Sequence, residues 1–211
     1  MSVSLRCYST SLGCPKNRVD TERLLGSLGV ALVPVESPDE AELVFINTCA
    51  FIQPATEESV RTIAQAIADI EELPKRPLLA VAGCLVGRYH AEDLAPELPE
   101  VDLWLDNSDL EAWPAMLARK LGLPEPTVPG RILSTGPSYA WLKISDGCRH
   151  ACSFCAIPNI RGGHRSHCKD MIVREARALL AHGVKELNLV AQHLTEWGCD
   201  LDGKQDLRTM L

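Results

Sequence analysis

Three closely spaced cysteines are the strongest chemical signal in the sequence. Cys148, Cys152 and Cys155 form a C-x3-C-x2-C triplet directly after an apolar run that predicts a strand. Three thiolates this close together can each bind one iron of a four-iron cube, which leaves the fourth iron open to a small molecule. A zinc site completed by a nearby histidine is the alternative, although zinc sites usually show two separated ligand pairs. The candidate histidines are His150, His164 and His167.

Three further cysteines are spread over the first half of the chain. Cys14, Cys49 and Cys84 each follow a predicted strand. In a parallel sheet such loops leave at the carboxyl edge, where ligands bind, so the three thiols are expected to converge on one metal centre. The alternative is three buried cysteines that behave as small hydrophobes. Gly13 and Gly83 favour the metal site, because glycine permits close backbone approach beside the cysteines.

The remaining cysteines and one histidine give weaker signals. Cys7 lies inside a predicted strand and is interpreted as a core residue. Cys168 and Cys199 lie in predicted loops and receive no role. His193 follows a predicted strand, and a solvated or structurally bonded histidine is favoured over a functional one there.

The composition is that of a globular protein with a large core. The chain has 211 residues, of which 46% are hydrophobic, and a formal net charge of −7. It contains no apolar run of about 20 residues, so no membrane helix is predicted. The N-terminus lacks the pattern of a signal peptide, so a cytoplasmic location is expected. In that reducing compartment nine cysteines favour metal binding or thiol chemistry over disulfides.

Charge is unevenly distributed along the chain. Residues 1–130 carry 20 acidic and 10 basic side chains, whereas residues 131–211 carry 8 acidic and 11 basic ones. An acidic first half argues against nucleic acid binding by that half.

The elements that must position these cysteines follow an α/β pattern. Apolar runs without polar alternation are separated by amphipathic segments over residues 1–122, which predicts a parallel sheet covered on both faces. The predicted strands are 4–8, 43–47, 78–82 and 103–105. Predicted helices begin at a cap at Asn17, near Pro54, and at a Ser108–Glu111 capping box.

A second unit is predicted after a linker over residues 123–137, which is rich in proline and glycine. Residues 138–211 contain a strand over 139–145, a helix capped by Asp170 and a strand over 187–191. This is the opening βαβ of a larger α/β fold. Because two strands cannot close a barrel, we expect the chain to be an incomplete fragment of a longer protein.

These motifs resemble a known family. The triplet, with Phe154 directly before its last cysteine, is similar to the signature of radical S-adenosylmethionine enzymes, and the first half resembles the N-terminal domain of the methylthiotransferases. Within that family the chain is most similar to enzymes that add a methylthio group to the β-carbon of an aspartate in small-subunit ribosomal protein S-twelve. The segments that carry this similarity are 11–17, 155–162 and 186–192.

The resemblance implies two [4Fe–4S] clusters and S-adenosylmethionine as cofactors. The triplet would hold the cluster that binds S-adenosylmethionine, and Phe154 would lie beside the adenine. Cys14, Cys49 and Cys84, called the strand-end cysteines below, would hold an auxiliary cluster that takes the transferred sulfur. The second unit would then be the start of a partial TIM-like barrel. Besides the cluster ligands, no catalytic residue is assigned.

The implied partners are ribosomal protein S-twelve, free or on the ribosome, and a protein that reduces the clusters. No membrane partner is expected. His193 departs from the family pattern, which has an aspartate after the residue that Gln192 matches. The alternative functions are a tRNA methylthiotransferase and a non-catalytic iron–sulfur or zinc-binding module.

Overall fold

The computed structural model describes residues 4–203 and 205–211. The chain divides into two compact units, Met1–Ile132 and Leu133–Leu211. No helix or strand lies in the described segment 122–138, which contains the boundary between the two units. The domain limits 1–122 and 138–211 stay a prediction.

The first unit alternates strands with helices. Its strands are β1 (Ser4–Ser11), β2 (Ala31–Pro34), β3 (Leu43–Thr48), β4 (Leu78–Gly83) and β5 (Leu103–Asp106). Its helices are α1 (Pro15–Ser27), α2 (Gln53–Ile70), α3 (Cys84–Tyr89), α4 (Ala91–Leu94) and α5 (Trp113–Leu121). Short 3-10 turns cover Pro38–Glu40 and Asn107–Asp109.

The five strands form one parallel sheet in the order β2-β1-β3-β4-β5. This is the doubly wound order of flavodoxin-like folds, and it confirms the predicted α/β class. The chain reverses direction across the sheet between β1 and β3, and ligands of such folds bind at the carboxyl ends of the strands flanking that point.

Both faces of the sheet are buried, as the continuous apolar runs predict. On one face Leu43 and Phe45 pack with Leu25 of α1 and Trp113 of α5. The alternate residues of the same strands point to the opposite face, and Ile46 there is fully buried. The rigid sheet therefore holds the strand ends in place.

The second unit is built on a βαβ element. Its strands are β6 (Tyr139–Lys143), β7 (Ser145–Asp146), β8 (Arg165–Ser166) and β9 (Glu186–Val190). Its helices are α6 (Ile157–Arg161), α7 (Lys169–Ala181) and α8 (Leu207–Met210), and a 3-10 turn covers Leu194–Glu196. The strands β6 and β9 pair in parallel, and α7 lies in the chain segment that connects them. The strand β7 pairs antiparallel with β8.

The structure corrects several local predictions. Strand β2 was not predicted: its apolar run over 30–35 contains Pro34, which disfavours a strand, and most residues of this edge strand are exposed. The sequence predicts an apolar stripe through Val60 on the helix near Pro54, but Val60 is 42% exposed, because the buried stripe of α2 runs through Ser59 and Ile63 instead. The Ser108–Glu111 capping box is wrong: the side chain of Asp106 accepts the Ser108 N–H, and α5 begins only at Trp113.

Two predicted helix caps are also wrong. Cys14 rather than Asn17 occupies the N-cap position of α1, with extended backbone. Cys168 occupies that position in α7, so Asp170 lies inside the first turn of the helix. In neither case does the N-cap side chain bond to the helix.

Candidate functional site: two sets of cysteines

The strand-end cysteines lie at the carboxyl ends of three neighbouring strands. Cys14 follows β1 by three residues, Cys49 directly follows β3, and Cys84 directly follows β4. Since these strands are adjacent in the sheet, their loops emerge side by side at one edge. Cys49 and Cys84 are buried, and Cys14 is half-buried.

Asn17 connects the three loops. Its fully buried side-chain amide donates to the carbonyl oxygens of Leu12, at 2.9 Å, and Thr48, at 2.8 Å. Its Oδ1 atom lies 3.8 Å from the Sγ atom of Cys84. One side chain thus bonds to the loop of Cys14, to the residue before Cys49 and to Cys84 itself. This role replaces the predicted helix cap.

Two glycines allow the loops to approach each other closely. A Cβ atom on Gly13 would lie 2.6 Å from Cys49 Cβ and 2.8 Å from Cys49 Sγ. A Cβ atom on Gly83 would lie 2.2 Å from the side-chain oxygen of Asn47 and 2.6 Å from the carbonyl oxygen of Thr48. Both glycines have positive φ, at 83° and 101°. The backbone around the strand-end cysteines therefore excludes any side chain at these positions.

Polar side chains orient the buried cysteines. The hydroxyl of Ser59 accepts the Cys49 N–H at 3.0 Å and donates to the Cys49 carbonyl at 2.7 Å. The amide Nδ2 of Asn107 donates to Cys84 Sγ at 3.7 Å. Hydrogen bonds to sulfur are among the features that set the reduction potential of an iron–sulfur cluster. Sequence reasoning missed Ser59 and Asn107, because neither belongs to a motif.

Cys7 lies apart from these three residues. It is buried in the core cluster, as its position within a strand predicts. Burial raises the pKa of the Cys7 thiol to about 12. The thiolate is the metal-binding form, so this cysteine is unsuited to be a ligand.

The triplet lies in the loop between β7 and α6, called the cluster loop below (residues 147–156). Cys148 and Cys155 are half-buried, whereas Cys152 is exposed. The Cys148 N–H donates to the Gly162 carbonyl at 3.1 Å, and the Cys155 N–H donates to the Cys152 carbonyl at 3.0 Å. Phe154 is 88% exposed.

A buried ion cluster supports the start of the cluster loop. Asp146 accepts from Lys143 Nζ at 2.7 Å and from Arg161 Nη1 at 3.1 Å, and all three residues are buried. Burial by itself disfavours the charged Asp146 carboxylate, but Lys143 and Arg161 outweigh this effect and hold its pKa well below the ordinary range. The Asp146 side chain also accepts the N–H of Gly147, one residue before Cys148.

A second group of contacts ties the cluster loop to the turn after β9. Arg149 donates to both carboxylate oxygens of Glu196, with its shortest contact at 2.9 Å. His150 Nε2 lies 2.8 Å from His193 Nδ1, and each of these ring nitrogens lies 3.3 Å from a Glu196 oxygen. The hydrogen bonds from Arg149 lower the pKa of Glu196. His193 is therefore bonded to its neighbours, as predicted, and Glu196 was missed.

Possible donor atoms for a single metal ion lie close together at two places in the described residues. Within residues 4–203 and 205–211, two groups of three donor atoms lie within 4.8 Å of one another, and neither contains a strand-end cysteine or a triplet cysteine. In neither set, therefore, do all three sulfur atoms lie within 4.8 Å of one another. Neither group joins a histidine to a triplet cysteine.

The fold of the chain is similar to that of a solved structure. It matches the structure of a radical S-adenosylmethionine methyltransferase, TsrM, from Kitasatospora setae, solved with cobalamin and a [4Fe-4S] cluster bound. The TM-score is 0.55 over 92% of this chain and 50% of that chain, at 12% identity. This likeness concerns the fold alone.

Sequence relatives define the family more closely. Residues 6–106 match the model of Uncharacterized protein family UPF0004. The chain is 68% identical, over 97% of its length, to a ribosomal protein uS12 methylthiotransferase RimO of Nitratidesulfovibrio vulgaris, and 56% identical over its whole length to that of Lawsonia intracellularis. It spans about half the length of these relatives, 47% and 48%. Over that half, the chain is a homologue of proteins named ribosomal protein uS12 methylthiotransferase.

The structure also bears on the membrane. In the described part of the chain, no helix combines the length and apolar character needed to cross a bilayer.

Proposed function

We propose that the protein takes part in adding a methylthio group to the β-carbon of an aspartate in ribosomal protein uS12 by radical S-adenosylmethionine chemistry. The observation that carries this proposal is the pair of separate three-cysteine sets, one at the carboxyl edge of a parallel sheet and one in a strand–loop–helix segment. The names of the similar relatives support a ribosomal protein as substrate over tRNA.

In this proposal each set of cysteines holds one [4Fe–4S] cluster. The triplet binds the cluster that engages S-adenosylmethionine, and the exposed Phe154 ring is available to stack beside the adenine. The strand-end cysteines bind the auxiliary cluster. When bound, the clusters supply the electron that starts radical chemistry on S-adenosylmethionine and the site from which sulfur is transferred.

The chain's own residues position the cysteines and limit the access of water. Asn17 and Ser59 hold the loops of the strand-end cysteines, and the burial of Cys49 and Cys84 keeps that site largely dry. Asp146 and Glu196 hold the two sides of the cluster loop. We further propose that a reductant protein supplies the electron and that the protein works in the cytoplasm.

Iron analysis tests the two-cluster proposal. The anaerobically reconstituted chain should hold about eight irons, since each cube contains four. Cys49→Ala and Cys148→Ala should each remove about half of the iron, because each variant breaks a different site. Cys168→Ala is the matched control and should retain all of the iron, because this exposed cysteine belongs to neither set. Unchanged iron in Cys49→Ala would show that the strand-end cysteines are only core residues.

Mass spectrometry tests the proposed substrate. Reconstituted protein, S-adenosylmethionine and a chemical reductant are incubated with uS12 or, separately, with tRNA. We expect the methylthio adduct on an aspartate of uS12 alone. An adduct on tRNA alone would favour the other branch of the family.

A further inference from the structure

Three donor side chains of different chemistry meet in the second unit, and none of them belongs to either set of cysteines. A ring nitrogen of His164, the Cys199 sulfur and a carboxylate oxygen of Asp200 all lie within 4.8 Å of one another. His164 directly precedes β8, and Cys199 and Asp200 follow the 3-10 turn Leu194–Glu196. Residues separated by 35 positions in sequence are thus brought to one point by the fold.

His164 has a ring nitrogen without a bonding partner. Its side chain is only 2% exposed, and its buried Nδ1 atom has no hydrogen-bond partner among the described residues. The other ring nitrogen, Nε2, lies 3.1 Å from the Ser166 hydroxyl and 3.6 Å from Asp200 Oδ1. Buried polar atoms are normally paired, so this unpaired nitrogen indicates a missing partner such as a ligand.

Asp200 is held in place by Ser166. The Ser166 N–H donates to Asp200 Oδ2 at 2.8 Å, which leaves Oδ1 directed towards His164. Hydrogen-bonded carboxylates of this kind are typical of metal ligands.

The turn that carries Cys199 is also fixed. The Gly198 N–H donates to the Ser166 hydroxyl at 2.9 Å. Gly198 has a φ of 89°, and a Cβ atom there would lie 2.6 Å from the Gln205 carbonyl oxygen. Ser166 therefore bonds to both Asp200 and the residue before Cys199, and it aligns two of the three donors with His164.

We propose that His164, Cys199 and Asp200 form a mononuclear Zn²⁺ site. An imidazole nitrogen, a thiolate and a carboxylate are the three ligand types that zinc takes in proteins, and three protein ligands leave the fourth tetrahedral position for water or another ligand. Binding replaces the thiol proton of Cys199 by the metal, so one proton is released to solvent for each zinc bound. The ion links the start of β8 to the turn after β9.

Zinc content measured beside iron content tests this site. The full chain is first reconstituted with iron and sulfide, which occupies the six cluster cysteines under the proposed function, and Zn²⁺ is then titrated. We expect one zinc per chain to remain after desalting, with no loss of iron. Cys199→Ser and Asp200→Asn replace exposed residues and should each weaken zinc binding by at least about tenfold, because each removes a ligand. Cys168→Ser, which alters an exposed cysteine outside the group, should bind zinc as the unaltered chain does.

X-ray absorption at the zinc edge provides a second measurement. We expect one sulfur neighbour in the unaltered chain and none in Cys199→Ser. Equal zinc affinity in the unaltered chain and Cys199→Ser would overturn the proposal, and so would zinc uptake matched by loss of iron. Either result would mean that His164, Cys199 and Asp200 are neighbouring side chains that bind no metal. Iron content reports on the proposed clusters separately, so failure of either proposal is recognised on its own.

Discussion

At the scale of single residues, Gly83 shows how the backbone restricts the site of the strand-end cysteines. Its φ of 101° is unfavourable for any residue with a side chain, and an added Cβ would collide with Asn47 and Thr48. Gly83→Ala should therefore lower the free energy of unfolding by about 2–4 kcal/mol, from backbone strain and overpacking together. Urea denaturation followed by circular dichroism measures this loss.

Gly122→Ala is the matched control for Gly83→Ala. Gly122 also has positive φ, at 68°, but an added Cβ would have nothing within 4 Å. Gly122→Ala should therefore lower the free energy of unfolding by only about 1–2 kcal/mol, from backbone strain alone. An equal loss in the two variants would show that the close approach to Asn47 and Thr48 contributes nothing.

Asp146 is the residue on which the buried ion cluster depends. Asp146→Asn leaves Lys143 and Arg161 buried without their carboxylate, and should cost about 3–5 kcal/mol in the free energy of unfolding. Asp202→Asn, at an exposed position of the same unit, should cost less than about 0.5 kcal/mol. Similar denaturation midpoints for the two variants would contradict the role given to Asp146.

The lowered pKa of Asp146 also sets a pH dependence. Since the folded pKa lies below the unfolded value of about 3.9, the stabilisation is fully present above that value and is lost as pH falls through the folded pKa. Between about pH 7 and pH 5 the Asp146 contribution should be constant. Acid unfolding midpoints of the unaltered chain and Asp146→Asn test this, and the difference in stability between them should shrink only below about pH 4.

At the scale of elements, the turn after β9 holds the cluster loop through Glu196. Glu196→Gln keeps the shape of the side chain but removes the charge that Arg149 and both histidines contact. Exposed ion pairs contribute about 0.2–1 kcal/mol, and Glu196→Gln loses this stabilisation of the cluster loop. A chelator should therefore remove iron from the triplet of the variant up to about fivefold faster than from the unaltered chain. Stopped-flow absorbance after chelator addition measures this rate.

Glu186→Gln provides the control for Glu196→Gln. Glu186 lies exposed on β9, and its carboxylate accepts from Asn188 rather than from the cluster loop. The Glu186→Gln variant should therefore lose iron from the triplet at the same rate as the unaltered chain. Identical rates in Glu196→Gln and the unaltered chain would mean that the loop keeps its conformation without this contact.

At the scale of the whole molecule, the uneven charge suits a basic protein partner. The first 130 residues carry a net charge of −10, which repels a phosphate backbone and attracts a basic surface. Under the proposed function, binding to uS12 should weaken as salt rises, and tRNA should compete poorly. Fluorescence anisotropy with labelled uS12 at increasing salt tests both expectations. Tight, salt-sensitive binding of tRNA would argue for the tRNA branch of the family.

The sequence by itself determined the elements that carry the cysteines. Apolar runs predicted β3 and β4 to within one residue of their observed ends, because a strand buried on both faces needs an unbroken apolar run. The edge strand β2 was not predicted, because Pro34 lies in its apolar run and proline is tolerated in a sheet mainly at an exposed edge, which sequence alone does not reveal. The positions of the strand-end cysteines after their strands, and of the triplet before α6, are therefore properties of local sequence.

Only the tertiary structure decided which residues meet. The adjacency of β1, β3 and β4 follows from strand order, which no local pattern encodes, and it alone lets Asn17 bond across to Thr48, 31 residues away. The contact between Arg149 and Glu196 spans 47 residues, and His164 meets Asp200 across 36 residues. Periodicity reports whether a residue is buried, whereas these pairings depend on how the elements pack and in which register.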